Sequence, residues 1–100
     1  MNFLNPNELN YYFGKLLPSE AETVLTKRGK ADGLFLLRDK RNSVGSYVLS
    51  ICFENSIKHY AIIRQDNQNV KIEGGKEYKG PIELINDFIK NENSENLCCI

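Results

Sequence analysis

The 100 residues predict an α+β fold, a central antiparallel β-sheet flanked by two α-helices. Three observations carry that expectation. Apolar residues recur at helical spacing near each end of the chain, at Ala21, Val24 and Leu25 and again at Ile82, Leu84, Ile85, Phe88 and Ile89. Between these stripes lie three short apolar runs separated by clusters of Asn, Asp, Gly and Ser, the punctuation of an antiparallel meander. One run, Leu34-Phe35-Leu36-Leu37, is apolar on both sides of its pleat, as suits a strand with a helix over each face.

Residues 1–10, rich in Asn, read as a lead-in to a domain occupying 11–100. Ser19 and Glu22 have the spacing of a capping box, which places a helix over 19–28, ended by Gly29. Strands follow at 34–39, 46–53 and 57–64, with Asn42-Ser43-Val44-Gly45 and Glu54-Asn55-Ser56 as turns. A short strand, Val70 to Glu73, is broken by Gly74-Gly75. Pro81 then sits in the first turn of a second helix over 81–91, and a polar loop leads to Leu97.

Composition narrows the function. Thirteen basic and thirteen acidic residues give a net charge of zero, so no global field draws the chain to nucleic acid or to an anionic membrane. No run is long and apolar enough to span a bilayer, and none has the layout of a secretory signal. The three cysteines, two of them adjacent, suit a reducing compartment better than a disulfide framework, so the expected location is the cytoplasm. Three Cys and one His at these spacings match no common metal site, and neither a metal nor a cofactor is expected. No Cys stands five residues before an Arg as in a cysteine phosphatase, no Gly-rich loop ends in Gly-Lys-Ser/Thr, and His59 has no nucleophile partner by motif. No catalytic residue is assigned.

Arg38 is the anomaly. It shares one side of its strand with Leu34 and Leu36, and a guanidinium held there requires an anion. Asp39 or Glu77 could pair with it as a structural ion pair, or the anion could come from outside. Lys40 and Arg41 follow at once in the turn, where read alone they are a solvated charged pair. His59 read alone is a hydrogen-bonded core residue, and Tyr60, Ile72 and Leu97 are core by default.

Several ordered segments resemble one family. Gly33-Leu34-Phe35-Leu36-Leu37-Arg38 is similar to the Phe-Leu-Val-Arg-Glu-Ser signature of Src-homology-2 (SH2) domains. Tyr11-Tyr12-Phe13-Gly14 resembles their Trp-Tyr-Phe-Gly opening, Ser19-Glu20-Ala21-Glu22 their first helix, Lys58-His59-Tyr60 their His strand and Gly80-Pro81-Ile82-Glu83-Leu84 their second helix. The Asp-Gly-Leu-Phe-Leu-Leu-Arg form, the Arg41-Asn42 turn and the closing Leu97-Cys98-Cys99-Ile100 are most similar to Syk-type and Shark-type tyrosine kinases, their N-terminal SH2 domain in particular.

The resemblance implies a non-catalytic module that binds phosphotyrosine in receptor or adaptor tails, at Tyr-x-x-Leu/Ile motifs, for a kinase parent carrying a second SH2 domain. It makes Arg38 the bidentate phosphate ligand, with Lys40, Arg41, Asn42 and Ser43 wrapping the phosphate and His59 bracing the pocket. Tyr60, Ile72, Gly74 and Leu97 become the groove for the third residue after the phosphotyrosine. Two departures stand out: Lys40 replaces a usual Ser, and Pro18 replaces a helix Arg that also touches phosphate. The competing reading is therefore a scaffold or intramolecular contact domain with a degenerate pocket.

Overall fold

The computed structural model describes residues 11–91 and 98–99, with residues 89–91 and 98–99 as backbone only. Its elements in chain order are α1 (Pro18–Lys27), β1 (Leu34–Asp39), β2 (Tyr47–Phe53), β3 (Ser56–Arg64), β4 (Val70–Ile72), α2 (Pro81–Asn91) and β5 (Cys98–Cys99). The sheet runs β4-β3-β2-β1-β5. The first four strands pair antiparallel, as the turn spacing implies, while β5 pairs parallel with β1 through Leu34 opposite Cys98 and Phe35 opposite Cys99. A two-residue strand has no periodicity to read, which is why the sequence hides β5. The lead-in over 1–10 and Leu97 lie outside the described residues.

The first helix corrects the capping expectation. It begins at Pro18 with Leu17 as N-cap, so the third helical residue is Glu20, whose carboxylate accepts the Leu17 N–H at 2.8 Å. Proline's fixed φ suits the first helical position, and this moves the start one residue ahead of the Ser19 cap. Glu22 is thereby released from capping. At the other end Gly29 has φ +101 and donates its N–H to the Thr26 carbonyl, and Lys30 donates to that of Leu25, a Schellman closure.

β1 is enclosed on both edges. β2 covers one, and along the other the opening segment bonds to Leu37 and Asp39: Leu37 N–H to Tyr11 O and Asp39 N–H to Gly14 O, each at 2.8 Å. Alternation then sorts its side chains between two cores. Leu34 and Leu36 pack with Ala21, Leu25 and Cys52 under α1, whereas Phe35 and Leu37 pack with Leu49, Ile62, Leu84 and Ile85 under α2. Leu36 and Leu37 are both fully buried, on opposite faces, and each such side chain contributes about 1.5–3 kcal/mol. Arg38 falls on the α1 face by the same alternation.

The β2–β3 hairpin turns through Glu54 and Asn55, both at positive φ, with Phe53 paired to Ser56. The register this sets places Ser50 opposite His59 across the sheet and opposite Leu36 on β1. β4 stops at Ile72, one residue short of the expected Glu73, where Gly74 turns at φ +83.

Candidate functional site

Arg38 is 4% exposed, at the end of β1 where the α1-side core meets solvent. Its Nε donates to Ser50 Oγ at 3.1 Å and its Nη1 to the Leu16 carbonyl at 3.3 Å, while Nη2 lies 3.2 Å from His59 Nδ1. Three N–H groups are thus held by neutral acceptors, and the second N–H of each terminal nitrogen remains for another. Among the described residues no carboxylate forms an ion pair with this guanidinium. The two internal anions considered for it are engaged elsewhere: Asp39 accepts the Tyr12 hydroxyl, and Glu77 accepts Asn67 and Asn69 side-chain amides beyond the far strand. Burial pulls the guanidinium below its ordinary pKa, an effect that the Glu22 charge partly offsets.

His59 is held from both sides. Ser50 Oγ approaches Nδ1 at 2.7 Å and the Glu22 carboxylate approaches Nε2 at 3.0 Å. Glu22, released from capping, joins α1 to β3 through this pair. Neither Glu22 nor Ser50 was expected at the site, although Ser50 left a signal as a polar residue inside the otherwise apolar run Val48–Cys52.

Lys40, Arg41, Asn42 and Ser43 lie together in the β1–β2 turn, as expected. They line a hollow of about 910 Å³ whose opposite wall is the approach to α1, including Lys15, Leu16 and Leu17. Asn42 adopts φ +61 and Gly45 φ +85, and the turn is closed by Lys40 N–H to Ser46 O at 3.0 Å and Ser46 N–H to Ser43 O at 3.1 Å. Lys15, Lys40 and Arg41 share this lining with Glu20 and Asp39. Arg38 and His59 are not in this lining; Leu16 connects the two places, standing in the wall and accepting from Arg38 Nη1. Pro18, first in α1, offers no donor. Beside the hollow, burial and then the bond to Asp39 push the Tyr12 phenol well above its usual range.

The second expected group is on the other face. Tyr60 follows His59 on β3 but points to the α2 side, where its ring lies 6.1 Å from that of Phe88. Ile72 and Gly74 line a hollow of about 400 Å³ with Leu84 and Phe88 from α2, while Tyr60, in ring contact with Phe88, is not in the lining. Tyr78 and Asp87 also line it, joined hydroxyl to carboxylate, and neither was expected. Their meeting depends on α2 docking after the Gly74-Gly75 break, which local sequence does not reveal.

Among the described residues no group of His, Cys, Asp and Glu is arranged to hold a metal, and no helix is long and apolar enough to cross a membrane.

Comparison with known proteins agrees with this geometry. The SH2 domain family model matches residues 11–88. The tyrosine-protein kinase SYK of Gallus gallus is 40% identical over 100 residues, covering 99% of this chain and 16% of that protein. The tyrosine-protein kinase ZAP-70 of Homo sapiens is 45% identical over 83 residues, covering 83% of this chain and 13% of the kinase. SH2 domain-containing protein 1B of Homo sapiens is 38% identical over 88 residues, covering 83% of this chain and 66% of the relative. The chain spans less than a fifth of either kinase. With the family model matching most of its length, and with a helix on each face of the sheet and a buried Arg at the end of β1, the chain belongs to the SH2 domain family.

Proposed function

We propose that this chain binds phosphotyrosine peptides and docks its parent protein, a Syk- or Shark-like tyrosine kinase of the cytoplasm, onto phosphorylated receptor or adaptor tails. The observation that carries this reading is Arg38, a buried cation with N–H groups to spare and no carboxylate paired to it among the described residues. A phosphate dianion supplies the missing charge, and two N–H groups on one planar fork match its oxygens. Lys40, Arg41, Asn42 and Ser43 supply further ligands from the turn, and His59 lies beside the phosphotyrosine ring.

The same reading makes Tyr60, Ile72, Gly74 and Leu97 the groove for Leu or Ile at the third position after the phosphotyrosine. His59 and Tyr60 are consecutive on β3 and point to opposite faces, so a peptide crossing this strand passes from one hollow to the other. Three extended residues span about 10 Å, the reach available for that crossing. The resemblance to Syk-type kinases implies a second SH2 domain in the parent, which would take up a second phosphorylated unit of the same tail.

A phosphate-independent contact domain is the competing reading, favoured by Pro18 at the start of α1 and by Asp39 in the lining of the phosphate hollow. Titrating one Tyr-x-x-Leu peptide with and without phosphate on its Tyr separates the two. Binding of the phosphorylated form alone supports the proposal, and equal binding of both forms refutes it.

A further inference from the structure

Three polar side chains are buried among the described residues: Arg38, Ser50 and Ser46. Arg38 and Ser50 share one network at the end of β1, whereas Ser46 stands at the base of the turn that carries Lys40, Arg41, Asn42 and Ser43. A buried hydroxyl needs a partner. Ser46 Oγ accepts the Arg64 N–H at 2.9 Å, its carbonyl accepts the Lys40 N–H at 3.0 Å, and its own N–H donates to the Ser43 carbonyl at 3.1 Å. One residue therefore ties the start of the turn, its middle and the end of β3 together.

The sheet makes the β3 end of this tie a fixed point. The β2–β3 ladder closes with Tyr47 opposite Ile62, and Arg64 pairs on its other side with Val70 of β4. Continued by two steps, the same register sets Gly45 opposite Arg64, but Gly45 has left the strand at φ +85. Beyond the last backbone pair, the Ser46 hydroxyl takes up the Arg64 N–H. The Arg64 side chain lies across Gly45, so closely that a Cβ at that position would come within 2.6 Å of Arg64 Cδ and Nη1. Its charge is near enough to the Tyr47 phenol to offset part of the rise that burial and then Asp39 cause. Gly45 and Ser46 line the phosphate hollow and Arg64 does not, so Arg64 meets the turn from behind.

We propose that Ser46 and Arg64 are positioning residues for phosphate recognition, Ser46 through its hydroxyl and Arg64 through its stem across Gly45. Together they hold the turn in the form that presents Lys40, Arg41, Asn42 and Ser43, and they act through the turn and not by contact with phosphate. The inference rests on the phosphopeptide-binding reading and deepens it, naming what sets the shape of that site.

The test titrates one phosphorylated Tyr-x-x-Leu peptide by calorimetry against the 100-residue chain and its Ser46→Ala, Arg64→Ala and Arg64→Met variants, at a temperature where circular dichroism shows each fully folded. Ser46→Ala should bind about 10-fold more weakly, the equivalent of one buried hydrogen bond. Hydrogen exchange at the Lys40 amide should accelerate more than at the Leu37 amide of the sheet, a local change that loss of overall stability does not produce. Arg64 is exposed, so its variants keep the test open even where Ser46→Ala fails to fold. Arg64→Ala should bind about 3-fold more weakly, while Arg64→Met, which keeps an apolar stem over Gly45, should bind like the parent. Parent-like affinity of Ser46→Ala, with only its melting temperature lowered, makes the hydroxyl structural alone and overturns the inference. Arg64→Met binding as weakly as Arg64→Ala makes the effect one of charge and overturns it too. Failure of the parent chain to bind overturns the underlying reading instead.

Discussion

His59 Nδ1 lies 3.2 Å from Arg38 Nη2, and because a guanidinium only donates, Nδ1 must accept. The ring proton then belongs on Nε2, where the Glu22 carboxylate takes it at 3.0 Å. Ser50 completes the arrangement by accepting from Arg38 Nε and donating to Nδ1, the one assignment that leaves no two donors facing each other. A hydrogen-bonded chain therefore runs from α1 through β3 and β2 to the buried cation of β1.

Its members should differ in their importance to stability. Ser50 is completely buried, so Ser50→Ala leaves Arg38 Nε without an acceptor and should cost about 1–3 kcal/mol. The Glu22 side chain is 52% exposed, and Glu22→Ala should cost less than about 1 kcal/mol because water screens the pair. Urea denaturation of both variants compares them directly; a larger loss for Glu22→Ala would mean that the exposed pair, not the buried hydroxyl, holds the network.

Arg38→Ala should abolish measurable phosphopeptide binding while leaving the domain folded. It removes two charged hydrogen bonds to phosphate, about 1.5–3 kcal/mol each, and relieves a desolvated cation. Ser50 and His59 still satisfy each other at 2.7 Å, and Leu16 is a residue of the open hollow, within reach of water for its carbonyl. Arg38→Lys should fail nearly as badly, since an ammonium cannot present a planar fork. Near-native affinity of either variant by calorimetry would move the phosphate elsewhere.

Lys40 and Arg41 are proposed to stand in for the cation missing at Pro18. Both line the hollow, from the side opposite α1. Arg41 is exposed and Lys40 half-buried, and neither forms an ion pair among the described residues, so they should matter little to the fold, about 0–1 kcal/mol each, yet Lys40→Gln with Arg41→Gln should weaken phosphopeptide binding by more than that sum. The salt dependence of binding should flatten as well. A double variant that binds like the parent would leave the phosphate to Arg38, His59 and backbone amides.

What could be read in advance follows from how local each signal is. The apolar run Leu34–Leu37 is buried on both faces, so its strand, the need for a cover on each face and the oddity of Arg38 were visible in the six residues Leu34–Asp39. Glu22 was misread because its helix start depends on Pro18, and its partner His59 lies 37 positions away. Asp87 and Tyr78 are both ordinary surface types in sequence, and only the docking of α2 beside β4 brings them into one wall.

Alkaline pH should destabilise the fold through its tyrosines. Tyr12 is raised above 10.0 by burial and by Asp39, and Tyr47 in the same direction by burial and then Asp39. The folded state therefore keeps phenolic protons that the unfolded chain releases. Their contribution is fully present below pH 10.0, the unfolded value, and declines as pH rises beyond it. Tyr12→Phe should lower stability at neutral pH by removing the Asp39 bond and should reduce the drop in melting temperature above pH 10.0. An unchanged alkaline slope would show that Tyr12 does not carry this linkage.

Ligand preference follows from the opposite face. With Ile72, Leu84 and Phe88 lining the groove, changing Leu to Asp at the third position after the phosphotyrosine removes apolar burial and adds a carboxylate to a lining that already holds Glu73 and Asp87 against the single cation Lys76. The expected cost is about 1–3 kcal/mol. Phosphate should still dominate, so the Asp peptide with phosphate should bind more tightly than the Leu peptide without it. Phe88→Ala should shrink the difference between Leu and Asp peptides, because it opens the wall shared with Tyr60 and wets the hollow. Indifference to the third residue in the parent chain would place that part of the peptide outside the groove, whereas indifference only after Phe88→Ala would tie the preference to the wall made by α2.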